Sequence, residues 1–129
     1  MPDEKFTTCF SCMDGEIYPL VIEWIRANYD VDHVNLVTDI SFSGDGADAK
    51  VLCEIIRQYR CLTRHQNRAG EVFLAGYAGD ISAAGTEADR KKRLKDLMGK
   101  VRDFLPDELI IGLWVSKSLD IEKITDGMR

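Results

Sequence analysis

Residues 7–19 read TTCFSCMDGEIYP, and how this stretch folds decides the architecture. Its first half belongs to Phe6–Cys12 (FTTCFSC), a compact β-prone run with apolar or small residues at both parities. That pattern predicts a strand covered on both faces. The run stops at Met13-Asp14-Gly15, which leaves residues 13–18 as a loop at the strand's carboxyl end. Leu20, Val21, Trp24 and Ile25 then trace one helical stripe, with Pro19 suited to the first helical position.

The alternation continues outward. HVNLVT (33–38) predicts a second strand, the glycine-rich DISFSGDGAD (39–48) a loop, and Val51, Leu52, Ile55, Ile56 and Tyr59 a helix. EVFLAGY (71–77) predicts a third strand, followed by the small-residue loop AGDISAAG (78–85). Thr86 with Asp89 has the pattern of a capping box, opening a helix that carries Leu94, Leu97, Met98, Val101 and Leu105 and stops at Pro106. LIIGLWV (109–115) predicts a well-covered fourth strand, and LDIEKI (119–124) a short helical turn. Strands separated by helices imply an α/β fold with right-handed crossovers. The expectation is one domain over residues 1–129, a three-layer α/β/α unit with a mainly parallel sheet of four to five strands.

Length and composition agree with this reading and exclude others. A chain of 129 residues with 45% hydrophobic and 30% charged residues can bury a core without disulfides or metal. No apolar run approaches the roughly 18 residues of a membrane span, and MPDEKF lacks the basic and apolar regions of a secretory signal. The net charge of −5 disfavours nucleic acid as a partner; the cluster DRKKRLKD (89–96) reads as a solvated helix face. Four cysteines without a secretion signal read as free thiols in a cytoplasmic protein.

Ligands of open α/β sheets bind beyond the carboxyl ends of the strands. That rule selects Cys12, Asp14 and Glu16 after the first strand, Asp39–Asp48 after the second, and Tyr77–Ser82 after the third. A redox pair of Cys9 and Cys12 is disfavoured by geometry. Three residues along a strand separate α-carbons by about 10 Å, and a disulfide needs less than about 7 Å. Cys9 therefore reads as a small buried apolar residue. Cys61 and His65 share a helix face but do not close a metal site; with Cys53 they read as packed thiols and a helix-end imidazole. His33 begins the second strand, half exposed. SGDGAD lacks the Lys-Ser/Thr pair of a P-loop, and its Asp45 and Asp48 oppose an anion, so it reads as a turn with Asp48 as a cap. Trp24 and Trp114 read as packing residues.

CMDGEIYPLVIEWIRANYDVDHVNLVT (12–38), followed much later by IIGLWVSKSLDIEKI (110–124), resembles small prokaryotic proteins of the β-carbonic-anhydrase-like superfamily. The resemblance implies a β-carbonic-anhydrase-like fold, a homodimer and a site at the strand ends. In that superfamily a Cys-x-Asp-x-Arg motif follows the first strand, and Gly-His-x-x-Cys follows the third. Two cysteines and the histidine hold zinc, while the aspartate and arginine form a dyad. Cys12 and Asp14 match. Glu16 stands at the arginine, Tyr77 at the histidine and Asp80 at the second cysteine. The resemblance with these departures implies a protein lacking a competent zinc site, one that binds a small molecule or a partner without catalysis; no cofactor is expected. The alternative is an enzyme reusing the pocket. It would use Cys12 as nucleophile, Asp14 or Asp80 as acid/base and Tyr77 as hydrogen-bond donor, or zinc on a mixed set of Cys12, Asp14 and Asp80 with residual hydration of carbon dioxide.

Overall fold

A computed structural model describes residues 4–11, 17–38, 54, 57–58, 67–79, 86–104, 106 and 109–124. The elements are β1 (Lys5–Ser11), α1 (Ile17–Asn28), β2 (His33–Thr38), β3 (Asn67–Tyr77), α2 (Glu87–Phe104), β4 (Leu109–Val115) and β5 (Ile121–Ile124). They form a five-stranded sheet in the order β2-β1-β3-β4-β5. β1 pairs parallel with β2 and β3, β3 pairs parallel with β4, and β5 closes the edge antiparallel to β4.

Strand alternation sorts the apolar runs onto two faces. On one, Cys9, Phe73, Ala75, Ile111, Leu113 and Val115 pack against Ile17, Val21 and Ile25 of α1. On the other, Phe10, Val72, Leu74, Ile110 and Trp114 pack against Leu94, Leu97, Met98 and Val101 of α2. This gives the expected three layers, and it explains why Val72–Ala75 of β3 and Ile110–Val115 of β4 are apolar or glycine at every position: consecutive side chains serve different helices. Each large side chain removed from water in this way contributes roughly 1.5–3 kcal/mol. Close approach of α2 to the sheet depends on Gly112, where a Cβ would collide with the Met98 sulfur.

Among the described residues, one polar side chain is buried in the sheet. The β1–β3 register shifts between Phe6 and Thr8, and Thr7, 3% exposed, donates its hydroxyl to the Glu71 carbonyl at 2.5 Å. A side chain thus supplies a hydrogen bond where the ladder is interrupted.

Three boundaries differ from the sequence reading. LDIEKI is not a helical turn: Ile121–Ile124 is a strand, paired Val115↔Ile121 through Gly112↔Ile124. An edge strand needs few apolar contacts, and Ile124 alone is fully buried here. Helix α1 starts at Ile17, so Pro19 falls at its third position, still within the first turn where a missing N–H costs no helical bond. β3 begins at Asn67, four residues early, because Asn67 and Arg68 pair with Lys5 and Phe6 of β1. Among the described residues, no helix is long and apolar enough to cross a membrane.

Candidate functional site

β1 lies between β2 and β3. The chain leaves it on one side and returns on the other, so the switch in strand order falls between β1 and β3. Ligands of open sheets settle at the carboxyl ends of strands at such a switch. From those ends the sequence runs into residues 12–16 and 80–85. Cys12, Asp14, Glu16 and Asp80 lie outside the described residues, as do Asp39–Asp48, Ser82, Cys53, Cys61 and His65. Tyr77 is described, and with it the β3 and β4 share of the edge.

Tyr77 ends β3 opposite Val115. Its half-buried ring packs against the cluster on the α1 face. A Cβ at Gly79 would lie 2.6 Å from both Cζ and Oη of that ring, so the absence of a side chain there is what lets the phenol lie over the turn. Among the described residues the Tyr77 hydroxyl has no hydrogen-bond partner.

One residue beyond, the Ala78 amide donates to the Val115 carbonyl at 2.8 Å, extending the parallel ladder. The Ala78 carbonyl accepts a hydrogen bond from Nη2 of Arg90. Arg90 stands in the first turns of α2, and its Nε is buried. A cation is therefore fixed at the carboxyl edge of β3 by the backbone itself. The sequence reading placed Arg90 with the solvated DRKKRLKD face and missed this. The signal was present: Arg90 lies four residues before Leu94 and seven before Leu97, on the stripe that faces the sheet.

The neighbouring residues are held tightly. Trp114 is buried as expected, and its Nε1 donates to Glu87 at 3.4 Å. Trp24 is partly buried against the α1-face cluster. A Cβ on Gly76 would approach the Trp114 ring to 3.0 Å. The capping box forms as read, with the Thr86 amide donating to Asp89 Oδ2 at 3.2 Å and the Asp89 amide to Thr86 Oγ1 at 3.1 Å. The backbone hydrogen bond from Thr86 leads in holding the Asp89 carboxyl below its ordinary value; the Thr86 side chain, Arg93 and Lys92 add to it.

β4 leaves the same edge into the turn Ser116–Asp120. The Leu119 amide donates to the Ser116 carbonyl, and the Ser116 amide to the Asp120 carbonyl, both at 2.9 Å. Ser116 Oγ accepts from the Asp120 amide at 3.1 Å and lies 2.9 Å from Ser118 Oγ, which donates to Asp120 Oδ2 at 3.0 Å. Leu119 has φ of 70° and is 43% exposed.

Elsewhere there is less chemistry. A groove of about 710 Å³ runs along α1, walled by Tyr18, Ile22, Glu23, Arg26, Val31 and Asp32, and contains none of the candidate residues. Cys9 is buried and outside any disulfide, as expected. Among the described residues, no three His, Cys, Asp or Glu side chains are grouped to share a metal ion.

A family model described as "Putative carbonic anhydrase" matches residues 2–125. The chain belongs to that family. Neither the curated proteins nor the solved structures hold a match to it. The match spans every described element of this carbonic-anhydrase-family chain.

Proposed function

We propose that this member of the carbonic-anhydrase family is a non-catalytic protein whose strand-end site binds a small molecule or a partner without a competent zinc centre. The carrying observation is Tyr77. It stands where the resemblance places an imidazole, and its ring is turned over Gly79 toward the α1 face. When bound, zinc supplies a water acidic enough to attack carbon dioxide near neutral pH. The donor set that the resemblance points to does not fit that ion: Cys12 is its lone sulfur, Asp14 and Asp80 are carboxylates, and the Tyr77 phenol stands in place of the nitrogen ligand. Glu16, standing where the resemblance places the arginine, gives the dyad positions two like charges in place of an opposite pair.

Protein purified without exposure to a chelator tests this reading by elemental analysis and a carbon dioxide hydration assay. We expect substoichiometric metal and a rate equal to that of heat-killed protein. One zinc per chain together with accelerated hydration would overturn the proposal. The resemblance also supports a homodimer, which a monomeric mass in light scattering at micromolar concentration would remove. A cytoplasmic setting fits a Cys9 that is outside any disulfide.

The Tyr77 hydroxyl favours a second reading, because it has no hydrogen-bond partner among the described residues and is available to a bound molecule. In that reading Cys12 is a nucleophile, Asp14 or Asp80 an acid/base and Tyr77 a donor. Tyr77 stands where the resemblance places the strand-end histidine, so activation of Cys12 needs another source. Rapid alkylation of Cys12 by iodoacetamide at pH 7, slowed by Asp80→Asn, is the expected sign of this enzyme; labelling at the rate of a free peptide thiol counts against it.

A further inference from the structure

We draw no further inference here: the strongest candidate, the open groove along α1 walled by Tyr18, Ile22 and Val31, carries nothing because nothing in the structure shows what covers it.

Discussion

At the amino end of the sheet, Lys5 reaches Asp30 at 2.8 Å and His33 reaches Glu4 at 3.3 Å, with all four side chains at least 43% exposed. The Lys5 amide donates to Asp32, and Phe6 stacks on His33 at 4.7 Å. At the carboxyl end, Arg90 bonds the Ala78 backbone, Trp114 bonds Glu87, and Tyr77 lies over Gly79. Exposed pairs of the first kind contribute little, because water and salt screen them and long side chains lose freedom in forming them. Bonds of the second kind are partly withdrawn from water, and losing a partner there strands a polar group. The difference teaches where the fold tolerates rewriting: the amino end can change at little cost, while the carboxyl end is specified residue by residue.

The strongest attempt to break that contrast is Arg90→Met. It keeps the apolar stem of the side chain but leaves the Ala78 carbonyl without its donor, and urea unfolding should show a loss of about 1–3 kcal/mol. A loss no greater than that of Lys5→Met would erase the distinction. Gly79→Ala comes next, since the new methyl would displace the Tyr77 ring. A cost of about 1–2 kcal/mol is expected, with changed Tyr77 ring resonances in NMR spectra. Thr86→Ala should remove about 1 kcal/mol through the lost cap.

The capping box also predicts a pH dependence. The Asp89 carboxyl titrates below its ordinary 3.8 in the folded chain, so its stabilisation is present above that value and is lost as pH falls through the folded value. The melting-temperature gap between parent and Asp89→Asn should therefore be full at pH 6 and narrow below about pH 4. Smallest of all is Lys5→Met, whose urea midpoint in 0.5 M salt should coincide with that of the parent.

Much of the fold was legible because its signals are local. The run LIIGLWV and the pair Thr86 and Asp89 each announce a strand or a helix start without reference to distant residues. β5 was not legible. Its apolar residues at 121 and 124 are three apart, a helical spacing, and only pairing with β4 makes them a strand. The start of β3 was hidden for a similar reason: Asn67, Arg68 and Gly70 carry no β signal, and β1 supplies the hydrogen bonds. The site was partly legible. The strand-end rule led to Tyr77, but Arg90 was submerged in a run of cations whose charge overshadowed its position on the apolar stripe.

The placement of β1 between β2 and β3 also bears on synthesis. As the chain emerges from a ribosome, β1 can zip onto β2 early, but its other side pairs with β3, as in Phe6↔Arg68, only when some sixty further residues have been made. Until then an apolar strand has one raw edge, and its partner must be found across a large loop. Chaperone dependence of this protein should therefore concentrate in nascent chains that display β1 and β2 but have yet to release β3.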